Sequence, residues 1–474
     1  MAEHYDLVVL GAGPGGYVAA IRAAQLGMHV AVVEREKVGG VCLHKGCIPS
    51  KTLLRSAEVY DTVKRAAEFG VVTSPPQLDM HEIHSRKQHI VNQLHKGIQH
   101  LLNKHRVDVY EGTGRMLGAS IFSPQTGAVS VTQANGESVT LTPKNLLIAT
   151  GSQPCGIPGV RVDGKKILNS DHALALEQLP DSIIIIGGGV IGIEWASMLC
   201  DLGVKVTVIE AENRILPGED EAISKEMTRL LKKRKVNLLT ETKVLPDTIV
   251  IEEDVVRLHV QSDSEVTELS SEQLLLAVGR TANTDNIGLS NTEIKLTNGF
   301  IQVNEFFQTA ESHIYAIGDV IGGYQLAHVA SQEGIIAVEH MAGLKPAPLD
   351  SRLVPRCIYS RPEVASLGLS ERQAHNAGFQ TKIGKIPFRA IGKTHVYGDS
   401  DGFAKIVVDS ETEDILGVHL IGLHATDLIA EAGLASLLDA TPWEVSQVIY
   451  PHPTVAEVMG EAALHVDGLS IHGG

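Results

Sequence analysis

One motif occurs twice in this chain and limits what it can fold into. Leu7 to Leu10 reads as a short buried strand, and Gly11-Ala12-Gly13-Pro14-Gly15-Gly16 breaks it. Tyr17 to Leu26 then reads as a helix that Gly27 can end, followed by a second strand from Val30 to Glu34. The order recurs with Ile183 to Ile186, the turn Gly187-Gly188-Gly189-Val190-Ile191-Gly192, a helix to Leu202 stopped by Gly203, and a strand from Val206 to Glu210. In both copies 23 positions separate the first glycine from the closing glutamate. A single G-x-G-x-x-G is weak evidence, but two in strand–turn–helix–strand context with an acid at the same offset point strongly to paired dinucleotide sites.

The glycines have distinct tasks. Gly11 and Gly187 permit the tight turn, Gly13 and Gly189 let the backbone approach a pyrophosphate, and Gly16 and Gly192 let helix pack on strand. The helix N-terminus stabilises the phosphate charge. Glu34 and Glu210 can then accept hydrogen bonds from a ribose 2′-hydroxyl. A carboxylate at position 210 repels a 2′-phosphate, so the second site should take NAD rather than NADP.

Cys42 and Cys47 follow the first copy within Gly39-Gly40-Val41-Cys42-Leu43-His44-Lys45-Gly46-Cys47-Ile48-Pro49-Ser50-Lys51. A cysteine pair behind a dinucleotide fingerprint points to a redox-active disulfide beside a flavin. Two free structural cysteines are the plain alternative. A zinc site would want a tighter Cys-x-x-Cys hook and a second pair, which Cys155, Cys200 and Cys357 do not supply. Five cysteines in 474 residues are too few for a secreted disulfide framework.

A formal charge of -16 disfavours nucleic acid, since no Lys/Arg cluster offsets it. The start Met1-Ala2-Glu3-His4 lacks a basic, apolar signal sequence, and the apolar run from Ile183 to Ile193 is interrupted by glycines and meets Glu194. A soluble, cytoplasmic protein without membrane attachment is expected. Asp79 to Arg106 reads as a helix with Ile90, Leu94, Ile98 and Leu101 at helical spacing. Its histidines 81, 84, 89, 95, 100 and 105 form no H-E-x-x-H pattern, so they read as a solvated face and no metal is expected. Val129 to Thr132 and Ser138 to Leu141 suggest an antiparallel excursion. Ile314 to Asp319 forms another strand and glycine turn before a helix from Ala327 to Met341, and Gly343 to Pro348 reads as a linker. The remainder mixes short strands with helices at Glu371 to Ala377, Ala425 to Leu438 and Thr454 to Ala463.

His452 and Glu457 form a second constellation. Five residues of regular helix rotate about 500°, so these side chains could not meet if both lay in one helix. His452 is therefore placed in the preceding loop, with Pro453 at the first helical position. A glutamate in the second turn can then hold one imidazole nitrogen and raise the basicity of the other.

Together these segments resemble the pyridine nucleotide-disulfide oxidoreductase family, and within it the dihydrolipoamide dehydrogenases. The resemblance rests on both fingerprints, Cys42 to Lys51, Ala149-Thr150-Gly151, Ala277-Val278-Gly279-Arg280, Gly318-Asp319, and Tyr450-Pro451-His452-Pro453-Thr454-Val455-Ala456-Glu457. It implies an α/β fold with two Rossmann-like dinucleotide-binding domains and a C-terminal α+β dimerisation domain. The divisions expected are 1–150 for FAD, 151–279 for NAD, 280–348 completing the FAD site, and 349–474 for the interface. By resemblance, Cys42 meets the substrate, Cys47 lies against the flavin, and Lys51 approaches the flavin ring and pairs with Glu194. Gly40, Val41, Gly114, Thr150, Gly151, Ser152, Asp319, Gln325, Leu326, Ala327 and His328 are implied around FAD, Val244 and Gly279 around NAD, and Arg280 among the cofactor-binding residues. The His452–Glu457 dyad would serve the disulfide of the other subunit of a homodimer. The implied reaction is oxidation of protein-bound dihydrolipoamide to lipoamide with reduction of NAD. Its partners would be the lipoyl and subunit-binding domains of an E2 acyltransferase.

Two positions depart from the family pattern: Val41 stands where many members have threonine, and Tyr450 where they have histidine. The Leu43-His44-Lys45 insert and Thr441 to Val445 look most like Gram-positive subunits of branched-chain complexes. Glutathione reductases would carry arginines near Glu210. Mercuric and large thioredoxin reductases would end in a cysteine pair, where this chain reads Leu469 to Gly474.

Overall fold

The computed structural model describes residues 3–119 and 126–473, so the chain ends Met1, Ala2 and Gly474 lie outside it. The chain divides into two compact units, Met1–Thr52 with Met80–Cys155 and Arg280–Leu349, and Leu53–Asp79 with Gly156–Gly279 and Asp350–Gly474.

The first unit is built on one sheet. Strands Asp108–Glu111, Val30–Glu34, Glu3–Leu10 and Ser138–Ile148 lie side by side in parallel, and Ile314–Ala316 joins Ser138–Ile148 on the same terms. Ser138–Ile148 works twice. Its first residues pair antiparallel with Val129–Thr132, as the alternating pattern predicts, and Leu141 onward pairs with Glu3–Leu10. Parallel strands covered on both faces need near-continuous apolar runs, and Leu7, Val8, Val9, Leu146, Leu147 and Ile148 are each fully buried. The helices Pro14–Gln25 and Ala327–Met341 pack on one face.

The first helix begins at Pro14, three residues before the expected Tyr17. Gly13 is its extended N-cap, and the ring of Pro14 sets the helical φ at the one place where a missing N–H costs nothing.

In the second unit, Asn237–Leu239, Lys205–Ile209, Ser182–Ile186, Gln273–Leu276 and Ile167–Asn169 form an all-parallel sheet. A meander of Thr242–Glu252, Val255–Ser262 and Glu265–Ser271 packs its apolar face on it, with Val256, Leu258 and Val260 buried. Residues from Arg356 onward form a separate antiparallel sheet of five strands backed by the helices Ala425–Leu437 and Glu457–His465. This is the mixed α/β class expected.

The last helix starts at Glu457, so Pro453 is not its first residue and Glu457 lies in the first turn. Pro453 instead follows a cis bond from His452 in an irregular loop. Among the described residues no helix is long and apolar enough to cross a membrane.

Candidate functional site

Both fingerprints fold alike at their three signature glycines. A Cβ at Gly11 or Gly187 would run into the carbonyl of Ala149 or Ala277, each just past the end of the neighbouring strand. One at Gly16 or Gly192 would run into the carbonyl of the first glycine. At Gly13 and Gly189 a Cβ would meet nothing, so the helix N-terminus is open to a close-approaching phosphate at these two positions. Glu34 accepts from the amides of Ala12 at 2.8 Å and Glu36 at 2.8 Å, and Glu210 from Gly188 at 2.7 Å and Glu212 at 2.9 Å. Each carboxylate is thus strapped beside its glycine turn, and its remaining lone pairs can meet a ribose.

Several turns converge at the carboxyl ends of the first unit's parallel strands, where ligands bind in doubly wound sheets. Gly11 follows the first strand, Ala149-Thr150-Gly151 follows Ser138–Ile148, and Gly318-Asp319 follows Ile314–Ala316. The side chain of Asn283 donates to the Thr150 carbonyl at 2.9 Å, while the Thr150 hydroxyl donates to the Asn283 carbonyl at 2.8 Å. Arg280 Nε donates to Ser152 Oγ at 2.7 Å, and Ser152 in turn bonds the Asp319 carboxylate. Arg280 therefore sits among the residues implied for FAD.

Gly318 donates its amide to Glu333, which is 4% exposed. Burial pushes the Glu333 carboxyl up to about 7, with the Gly318 amide opposing and the Asp319 charge adding to the rise. Gln325 Nε2 is buried without a hydrogen-bond partner, a group that a bound molecule would satisfy. Gly114 is packed so closely on Leu10 and Val33 that a side chain there would collide. Val244 packs on the core of the second unit, and Gly279 turns with φ of +115° three residues beyond the strand Gln273–Leu276. These open turns, strapped carboxylates and the unpartnered amide fit FAD in the first unit and NAD in the second.

Cys42 and Cys47 are joined as a disulfide, Cα to Cα 4.7 Å, while Cys155, Cys200 and Cys357 take part in no disulfide. The fingerprint itself positions the pair. Gly39 donates its amide to the Ala12 carbonyl at 2.8 Å, and a Cβ at Gly40 would lie 2.6 Å from the Cα of Gly13. Only glycine fits there, so the turn into the short helix Gly40–Lys45 is seated on the opening of the phosphate loop. Val41 is exposed beside it. Cys47 starts the helix Cys47–Lys64, and Lys51 follows one turn later on the same side.

In the second unit, buried Glu194 accepts from the Tyr359 amide at 2.9 Å. His452 Nδ1 donates to Glu457 at 2.8 Å across the loop, and Thr454 donates its amide to the other carboxylate oxygen at 2.9 Å. Burial pushes the Glu457 carboxyl up, but the bonds from His452 and Thr454 outweigh it and hold the group below the ordinary range. With Nδ1 committed, His452 Nε2 is the nitrogen left to take a proton, and the ring is exposed. Tyr450, the unexpected residue two positions earlier, fills the space over Gly460 and bonds Glu431.

Asn283, Glu333 and Glu431 escape sequence reasoning. Asn283 and Glu431 find their partners 133 and 19 positions away, and no local pattern marks them. Among the described residues no group of three His, Cys, Asp or Glu side chains is placed to hold a metal ion.

Residues 5–334 match the family model described as pyridine nucleotide-disulphide oxidoreductase, and residues 354–463 match that family's dimerisation domain. The chain is 62% identical over 473 residues to the dihydrolipoyl dehydrogenase of Bacillus subtilis, spanning all of both chains. It is 42% identical, again over the whole of both, to that of Zymomonas mobilis. Its fold superposes with a TM-score of 0.90 on a crystal structure of LpdA from Mycobacterium tuberculosis, at 26% identity and covering 98% of this chain and 100% of that one. The HOCl-induced flavoprotein disulfide reductase RclA of Escherichia coli, solved as a Cu(II) complex, gives 0.86 at 27% identity, covering 98% and 100%.

Thiol titration of the denatured protein checks the cysteine assignment. Three thiols are expected before reduction and five after it. Five at the outset would mean that Cys42 and Cys47 are not bonded in the resting protein.

Proposed function

The chain belongs to the pyridine nucleotide-disulphide oxidoreductase family, whose cofactors are FAD and NAD, and on that premise we propose that it is a dihydrolipoyl dehydrogenase. It would oxidise the dihydrolipoyl group of an E2 acyltransferase in the cytoplasm as one half of a homodimer. The observation that carries this reading is the Cys42–Cys47 disulfide seated on the first fingerprint, in a chain with a second fingerprint and a histidine held by a carboxylate.

The chemistry begins as thiol–disulfide exchange. A substrate thiolate attacks Cys42 Sγ, the Cys42–Cys47 bond breaks, and Cys47 leaves as a thiolate. The second substrate thiol, deprotonated, attacks the substrate sulfur of the mixed disulfide, closes the lipoyl ring and releases Cys42. His452 Nε2 of the partner subunit takes the proton, with Glu457 holding the ring in the required tautomer. FAD held at the first fingerprint would supply a two-electron acceptor for the dithiol, and NAD at the second would supply the final acceptor. Lys51 and Glu194 are the charged groups assigned to the flavin and nicotinamide sites. Gly11, Gly13, Gly16, Glu34, Thr150, Gly151, Asp319 and the Gln325 to His328 segment would hold FAD. Gly187, Gly189, Gly192, Glu210 and Gly279 would hold NAD. The Leu43-His44-Lys45 insert favours a branched-chain 2-oxo acid complex as the host, and the acyltransferase recovered with the native protein identifies it.

Cys47→Ser tests the exchange directly. Turnover of dihydrolipoamide with NAD should fall at least about 10³-fold, because no disulfide is left to exchange. Retention of near wild-type turnover overturns the reading.

Coenzyme choice follows from Glu210. A 2′-phosphate placed against that strapped carboxylate costs several kcal/mol, so kcat/KM for NAD should exceed that for NADP by about two orders of magnitude or more. Equal values would remove Glu210 from the ribose site.

A further inference from the structure

Val38 is 6% exposed, and the chain turns directly after it through Gly39 and Gly40, with φ of +106° and +58°, into the helix that bears Cys42. Two imidazoles converge on its carbonyl oxygen. His44 Nε2 lies 3.0 Å from it and His95 Nδ1 lies 3.0 Å from it, with the ring centres 5.3 Å apart at 69°. A carbonyl oxygen only accepts and has two lone pairs, so both nitrogens must carry hydrogen. This fixes the tautomer of each neutral ring.

The two histidines come from different places. His44 stands between the two cysteines. His95 comes from the long helix Met80–Lys104, 57 positions from Val38, on the same stripe as buried Val91 and Leu102, where an apolar residue would suffice for packing alone. Burial holds the His44 ring below the ordinary imidazole range, against the opposing bond to Val38, with repulsion from His95 and Lys37 and attraction from Glu34. His44 is therefore a neutral donor at pH 7.

We propose that His44 and His95 clamp the Val38 carbonyl and thereby hold Cys42 against Cys47, which makes them positioning residues that set how readily the disulfide is reduced. The inference rests on reading Cys42–Cys47 as the exchanging pair. In the exchange with glutathione, two thiols give up two electrons to the disulfide, leaving oxidised glutathione and the Cys42 and Cys47 thiols. The equilibrium of that exchange reports the effective concentration of one cysteine at the other. A turn freed of its clamp spreads Cys42 over more orientations, so the disulfide becomes easier to reduce.

The holoenzyme is equilibrated with glutathione redox buffers, quenched in acid and alkylated, and the Cys42 and Cys47 peptides are quantified by mass spectrometry. His44→Leu and His95→Leu should each shift the equilibrium toward the dithiol by about tenfold, which is about 30 mV. The double variant should shift it little further, because either loss opens the same clamp. His95→Asn places an amide nitrogen where Nδ1 stood, and His44→Gln reaches as far as Nε2, so these two should stay within about twofold of wild type. A wild-type equilibrium in the Leu variants, or an equal shift in the Asn and Gln variants, overturns the clamp. The readout needs neither dihydrolipoamide nor NAD, so failure of the dehydrogenase reading and failure of the clamp give different results.

Discussion

The contact between the phosphate loop and the cysteine turn is the one on which the site depends. Gly39 bonds the Ala12 carbonyl, and Gly40 presses on Gly13 with no room for a side chain. These contacts join the element built to receive a pyrophosphate to the element that carries a reducible bond. A helix N-terminus binds phosphate through backbone amides and leaves side-chain chemistry free. The chain places that chemistry in the segment immediately following the second strand, where the first fingerprint can position it.

The second fingerprint shows what the fold does without this addition. Its glycines, its strapped glutamate and its strand order repeat the first. After Glu210 the chain runs instead to the helix Glu221–Lys233, with no cysteine at the corresponding place. The same framework therefore serves two dinucleotides, and only one carries its own redox group. The strapped carboxylates also give the sites a common logic, since each glutamate closes its own turn before it meets any ribose.

Most of the architecture was legible because the signals are local. Apolar runs of strand length bounded by glycine turns located the central strands of both parallel sheets, and the helix Ala327–Met341 begins and ends where its pattern does. The rotation of about 500° that a regular helix would impose over five residues placed His452 in a loop, as its bond to Glu457 across that loop requires. The helix starts at Pro14 and Glu457 were misplaced, since capping depends on backbone geometry at one or two residues. What stayed hidden was the support of the site. Asn283 under Thr150, Glu333 under Gly318 and His95 over Val38 act through single hydrogen bonds to backbone atoms distant in sequence, and a backbone carbonyl or amide leaves no trace in the sequence.

The central claim is that the dithiol exchanged at Cys42 and Cys47 is served by a histidine of the other subunit. Subunit exchange between Cys47→Ser and His452→Gln, each inactive alone, tests it most directly. In a heterodimer one composite site collects both lesions and the other collects neither, so dihydrolipoamide turnover should return to about half of wild type per mixed dimer. No recovery, with exchange verified by mass, would show that each site is completed within a single chain.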